Sequence, residues 1–186
     1  MQFSAILTSI ALVGATLVSI PAPARAQSRD TSRADNVLLD MAQSYKSRDR
    51  KRLIALLPQV RGHVLEPWAA YWDLSARLDE AGPTEIQKFF NRYAGSYQED
   101  RLRAELLLQH GRNRDWTAFN REYPLYRMND DKSVRCYALL AEHLSGGTDV
   151  NKAVYDTWLS LKDADEGCAA AAEQLVKDHS TRKQPV

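Results

Sequence analysis

The run from Arg61 to Leu78, RGHVLEPWAAYWDLSARL, constrains the fold more than any other stretch of the chain. Pro67 fits the first helical position, where its missing N–H is one of the donors a helix leaves unpaired anyway. Beyond it Trp68, Tyr71, Trp72 and Leu78 recur at helical spacing, so two indoles and a phenol share one stripe. Aromatics of that size bury large areas, and a helix carrying them needs helices on either side. The run is therefore predicted as a core helix, with a ligand-binding aromatic box as the sharper alternative.

The flanking sequence supplies those neighbours. Leu38, Met41, Ala42 and Tyr45 repeat at i, i+3, i+4, i+7 and mark a first helix. Asp49 can cap a short second helix carrying Leu53, Ile54, Leu56 and Leu57, ended near Pro58. Gly82-Pro83 breaks off the third, and Thr84 with Gln87 has the capping-box spacing for a fourth helix bearing Ile86, Phe89, Phe90 and Tyr93, with Gly95 beyond its end. Ser96 and Glu99 repeat that spacing and open a longer fifth helix with Leu102, Leu106 and Leu107 on its buried face, closed by Gly111. Asp115 caps a sixth, packed through Trp116, Phe119 and Tyr123 ahead of Pro124, and Tyr126 to Lys132 reads as a charged connection. The seventh carries Val134, Tyr137, Ala138 and Ala141 up to Gly146-Gly147. The eighth starts at Asp149 with Val150, Ala153, Val154, Trp158 and Leu161, and the ninth holds Cys168, Ala171, Ala172 and Leu175.

No strand-like alternation competes, so the predicted class is all-α. Short turns make successive helices antiparallel neighbours. Pairs recur at roughly 30-residue intervals, the loose period of an α-superhelix, a TPR-like solenoid of short antiparallel pairs; a single globular bundle is the alternative.

At 186 residues there is room for one domain. Residues 1–26 read as a signal peptide: an apolar stretch from Ala5 to Ile20, then Pro21, Pro23 and the Ala24-Arg25-Ala26 cleavage pattern, too short and too polar for a membrane span. An uncleaved anchor is the alternative, and no cysteine near the cleavage point offers a site for acylation. Residues 27–34 are expected as a flexible lead-in, 35–178 as the superhelical domain and 179–186 as a polar tail. Without the signal segment Arg25 is lost from the 25 basic residues, leaving 24 against 24 acidic ones. That balance disfavours a nucleic-acid partner. The nearest basic cluster, Arg48, Arg50, Lys51 and Arg52, is interrupted by Asp49 and reads as a solvated helix start.

Export implies an oxidising compartment, and the mature chain holds two cysteines, Cys136 and Cys168. Each falls early in its helix, and helices two apart in a solenoid run parallel, which brings both sulfurs to one end. A disulfide is expected, two buried free thiols being the alternative.

Reactive constellations are absent from the sequence pattern. His63, His110, His143 and His179 are scattered, with none at i, i+4 from another His or Cys, so neither a metal nor a cofactor is indicated. There is no phosphate-binding glycine loop and no Gly-x-Ser-x-Gly elbow. Asp79-Glu80, Glu99-Asp100 and Asp130-Asp131 fall at helix ends or loops, where solvation and capping explain them. Glu66, beside Pro67 at a helix start, is explained by the helix dipole rather than by catalysis. No catalytic residue is assigned.

The aromatic helix also carries a resemblance. Leu65, Pro67, Trp68 and Tyr71, following Leu57-Pro58, resemble the turn Leu-x-Pro-aromatic-x-x-Tyr in the N-terminal superhelical domain of the soluble lytic murein transglycosylases. Arg114-Asp115-Trp116-Thr117-Ala118-Phe119 and Glu122-Tyr123-Pro124 are similar to that family's next helical hairpin. The likeness extends over Asp35 to Val176 and rests on packing residues; Val64 stands where many relatives have a second proline. In the family one glutamate acts as acid and then base, cleaving the bond from muramic acid to glucosamine and leaving a 1,6-anhydro sugar. That glutamate belongs to a separate lysozyme-like domain, within a Glu-Ser motif followed by Gly-Leu-Met-Gln, and neither motif occurs in this sequence. The resemblance implies a periplasmic superhelical arm that handles peptidoglycan glycan strands without its catalytic domain, to which it would attach. The alternative function is a free-standing periplasmic scaffold that binds protein partners.

Overall fold

The computed structural model describes residues 24–147 and 150–182, with side chains placed for 32–147 and 150–179. Among these residues every regular element is helical. The order is α1 Ala24–Lys46, α2 Arg50–Leu56, α3 Glu66–Ser75, α4 Pro83–Arg92, α5 Tyr97–Arg112, α6 Trp116–Glu122, α7 Lys132–Leu144, α8 Asn151–Leu159 and α9 Glu166–Arg182, with 3-10 turns at Leu57–Val60 and Tyr123–Leu125. The chain is all-α.

Side-chain caps start five of these helices, Asp165 accepting from the Cys168 N–H at the start of α9. Asp49 accepts from the Arg52 N–H, Ser96 from Glu99, Asp115 from Ala118 and Asp131 from Val134, each satisfying a donor the first turn leaves open. The capping box expected at Thr84 does not form: Gly82 is the N-cap and Pro83 takes the first turn, which puts Thr84 inside α4. Nor does Gly111 close the fifth helix. α5 runs on to Arg112, and Arg114 makes the left-handed turn with φ +55°.

The chain ends differ from expectation as well. Residues 27–34, expected as a flexible lead-in, are part of α1, because no Gly or Pro interrupts the run from Ala24 to Lys46. α9 likewise continues through Arg182 into the expected polar tail. The signal segment up to residue 23, and the helix start expected at Asp149, lie outside the described residues.

Odd-numbered helices pack in succession, α1 on α3, α3 on α5, α5 on α7 and α7 on α9. α1, α3 and α5 run parallel, as do α7 and α9: Tyr45 and Ser75 meet near the ends of α1 and α3, and Trp68 and Tyr97 near the starts of α3 and α5. Between α7 and α9, Ser133 meets Gly167 at one end and His143 meets Asp178 at the other. The apolar interior divides accordingly into three successive clusters. Met41, Leu53, Val60 and Ala69 form the first, and Tyr71, Leu74, Phe89, Phe90 and Leu102 the second. Leu107, Phe119, Val134, Tyr137, Leu140 and Cys168 form the third. A core distributed step by step is the packing a stack of helix pairs produces.

A buried ion network joins the second and third clusters. Arg103, 5% exposed, donates to Glu99 (2.6 Å) on its own helix and to Glu122 at the end of α6, with its guanidinium 4.0 Å above the Phe90 ring. Glu99 also receives Arg127 (2.8 Å) and the Gly95 N–H (3.3 Å). Asp100, 1% exposed, accepts the backbone N–H groups of Arg127 and Met128. Glu99-Asp100 is therefore no solvated helix start. Its carboxylates fix the connection into α7, whose unpaired N–H groups would otherwise be buried without partners.

Gly111 is set by a close approach: a Cβ there would lie 2.5 Å from the Tyr137 ring. Alanine is the better helix former, by about 1 kcal/mol. The clash with a packed ring outweighs that, so Gly111→Ala is expected to destabilise by about 1–3 kcal/mol in urea melts. A variant as stable as the parent would disprove the contact.

Candidate binding ledge

The aromatic helix packs less deeply than its composition predicts. Tyr71 is 5% exposed and belongs to the core with Ala69 and Leu74, whereas Trp68 and Trp72 are only partly buried. Their outer surfaces are joined by rings from both neighbouring helices. Tyr97, at the start of α5, stands 5.6 Å from Trp68; Trp68 is 6.0 Å from Trp72; and Trp72 is stacked 6.3 Å from Tyr45 near the end of α1. Tyr97–Trp68–Trp72–Tyr45 thus forms a continuous ledge across three parallel helices, with Tyr97 53% exposed at one end.

Polar groups follow the ledge. Ser75 donates to Glu105 at 2.5 Å, Tyr71 donates to the other oxygen of the same carboxylate, and the Tyr45 hydroxyl lies 3.1 Å from Ser75 Oγ. Burial, reinforced by the adjacent Glu105 charge, pushes the Tyr71 phenol far above its ordinary value, so it stays a hydroxyl donor at every working pH. Flat ring faces beside a carboxylate and hydroxyls suit a ligand that alternates C–H surface with O–H groups. Glu105 is an acceptor already occupied by two donors, which suits holding a ligand and not proton transfer.

The other residues singled out in the sequence lie elsewhere. Glu66, the first residue of α3, accepts from the Gly62 N–H (2.7 Å), Arg92 (2.6 Å) and the Tyr93 hydroxyl (3.0 Å). Burial pushes its carboxyl upward, but these three donors outweigh burial and hold it below its ordinary value. It is ionised and fully engaged, a staple between the turn before α3 and the end of α4. Cys136 and Cys168 are joined in a disulfide between α7 and α9, with Cα atoms 4.8 Å apart. His63 pairs with Asp35 and His143 with Asp178, on different helix pairs. Among the described residues no group of three or more His, Cys, Asp or Glu is placed to hold a metal, and no helix is long and apolar enough to cross a membrane.

Tyr45, Tyr97 and Glu105 had no signal in the sequence that tied them to Trp68; only the i, i+4 spacing of Trp68 and Trp72 could be read there. Compared with protein-family models, curated proteins and solved structures, the chain matches none.

Proposed function

We propose that the chain is a glycan-binding helical arm of the kind found in soluble lytic murein transglycosylases, acting on peptidoglycan strands in the periplasm by binding and not by cleavage. The observation that carries this reading is the four-ring ledge bordered by Glu105, Ser75 and Tyr45. Pyranose rings present C–H faces to aromatic surfaces and hydroxyls to the polar border. The disulfide supports an oxidising compartment. Binding of purified glycan strands, followed by tryptophan fluorescence, should weaken about tenfold in Trp68→Ala, one aromatic contact of roughly 1.4 kcal/mol. Unchanged affinity in that variant would remove the ledge from the reading.

Cleavage is assigned to none of these residues. The chain is expected to release no 1,6-anhydro-muropeptides from peptidoglycan, because Glu66 is held ionised and a general acid needs a raised pKa. Product formation above a buffer blank, abolished by Glu66→Gln, would make Glu66 the acid and overturn the assignment.

A protein-binding scaffold is the second reading, favoured by α8. Its Tyr155, Trp158 and Leu159 are 63%, 43% and 65% exposed on one side of the helix. In a helical array such a surface is ordinarily covered by a neighbour, here a partner protein or a lysozyme-like domain. Capture of such a partner, lost on Trp158→Glu and independent of glycan, would favour the scaffold.

A further inference from the structure

The first and last helices of the packing succession each carry a surface that the other described residues leave open. α1 packs on α2 and α3, and α9 chiefly on α7 and α8. At 100° per residue, Leu39 and Lys46 of α1 fall on the side away from the buried Leu38 and Met41. Leu39 is 70% exposed there, and Ile54 of the adjacent α2 is 52% exposed. On α9, Glu173 and Val176 fall on the side away from the buried Cys168 and Ala171, and Val176 is 69% exposed. Next to it, the side of α8 that carries Tyr155, Trp158 and Leu159 is open as well. Stacked helical arrays stay soluble as single molecules when their outermost layers are polar. Neither outer layer of this chain is.

Charge tells the two surfaces apart. Residues 32–61, which hold α2 and most of α1, carry seven basic side chains against three acidic ones. Residues 150–179, which hold α8 and most of α9, carry three basic against six acidic. Part of each excess is unpaired. Among the described residues Lys46, Arg48 and Lys51 form no ion pair, and neither do Asp163 and Glu173.

We propose that the α8–α9 surface of one molecule docks on the α1–α2 surface of a second copy, head to tail. A second copy fits both surfaces at once: each offers apolar side chains for the other to cover, and their charge excesses are opposite. Two like surfaces would set basic residues against basic, or acidic against acidic, so the contact is heterologous. Such a contact leaves one surface of each kind free, and association therefore continues past the dimer. The proposal takes the open side of α8 from the scaffold reading and commits it to one partner; it is independent of the aromatic ledge.

The test is sedimentation velocity of the full chain from about 1 μM to about 1 mM, the range of weak to moderate affinities. The parent should form dimers and longer chains as concentration rises. Association should weaken at least about tenfold between 0.1 M and 1 M salt, where the screening length falls from about 10 Å to about 3 Å. Leu39→Glu spoils the α1 surface and Trp158→Lys the α8 surface, and both positions are exposed, so the fold should be retained, as far-UV circular dichroism would verify. Each variant alone should be monomeric. Mixed one to one, they retain one intact junction between them and should form a dimer and nothing larger. Glu173→Lys should weaken association of the parent about tenfold by placing like charges opposite one another. A parent that stays monomeric would overturn the proposal, and capture of a foreign protein through Trp158 would then leave the scaffold reading standing. Association undiminished in either single variant would place the contact on another surface, and a mixture that stays monomeric would deny the head-to-tail pairing.

Discussion

Arg103→Ala is expected to cost about 3–5 kcal/mol, close to the whole stability of a marginal domain. The reason is what the substitution leaves behind. Glu99 is 5% exposed and Glu122 is largely covered, and Arg103 is the partner they share. Removing it takes the nearest cation from both carboxylates, leaving Glu99 with Arg127 and the Gly95 N–H and Glu122 with Arg121 at 3.6 Å, and the ring of Phe90 loses the cation above it. Urea melts should show the midpoint fall with little change in slope, because the surface exposed on unfolding is nearly the same. A loss under about 1 kcal/mol would mean that water reaches the network, as at surface pairs. Replacing Arg103, Glu99 and Glu122 together by apolar residues of similar volume should recover much of the loss, since a buried ion network is worth little against a well-packed hydrophobic substitute.

The same network sets an acid limit. Burial pushes the Glu99 carboxyl upward, but Arg103, the Gly95 N–H and Arg127 outweigh it and hold the group below its ordinary value. A depressed carboxylate contributes stability that is fully present above the unfolded-state value, about 4.3 for glutamate, and is lost as pH falls through the folded-state value. The parent chain should therefore lose stability on the acid side of that range. Arg103→Ala should flatten that slope.

Removing the disulfide should cost about 3–4 kcal/mol, the chain-entropy value for a closed loop with Cys136 and Cys168 separated by 32 residues. The bond ties α7 to α9, the pair whose backbones lie closest. Gly167 makes that approach possible, since a Cβ there would meet the Ser133 carbonyl at 2.5 Å, and its N–H donates to Ser133 Oγ. The Cys136→Ala, Cys168→Ala double variant and the reduced parent should melt together, below the oxidised parent. Identical midpoints for oxidised and reduced protein would show that the loop is already restrained in the unfolded ensemble.

Helix starts were legible where the cap and the first donor lie three residues apart, as at Asp49, Ser96 and Asp115. Fold class followed from 3.6-residue periodicity. The sequence of charges was less legible. Glu99-Asp100 has the composition of a solvated helix start, and its burial is decided by Glu122 and Arg127, 19 and 28 residues from the groups they pair with. Tyr126 to Lys132 reads as a charged connection for the same reason, although Tyr126 is 7% exposed and its hydroxyl is tied to Asp130. Trp68 and Trp72 carry a strong local signal for burial. The parallel approach of α1 and α5 fills the core with Tyr71 and Leu102 instead and leaves the indoles at the margin. Local spacing cannot report which of two apolar neighbours a distant helix will cover.

Because α1, α3 and α5 point the same way, their peptide dipoles add. Each helix start carries roughly half a positive elementary charge and each end half a negative one. Side by side, aligned dipoles repel, and the residues at the two rims answer that repulsion. Glu66 sits in the first turn of α3 and Glu99 and Asp100 in that of α5, while Lys46, Arg77 and Arg112 sit at the ends of α1, α3 and α5. Despite a formal net charge of only +1, the α1–α3–α5 part of the chain thereby has two unlike rims, while the Arg112–Glu166 pair sets the end of α5 against the start of α9. Such a body turns before it touches: near a charged polymer it would present one rim first, at distances up to the Debye length of about 10 Å at 0.1 M salt, and lose that preference as salt rises.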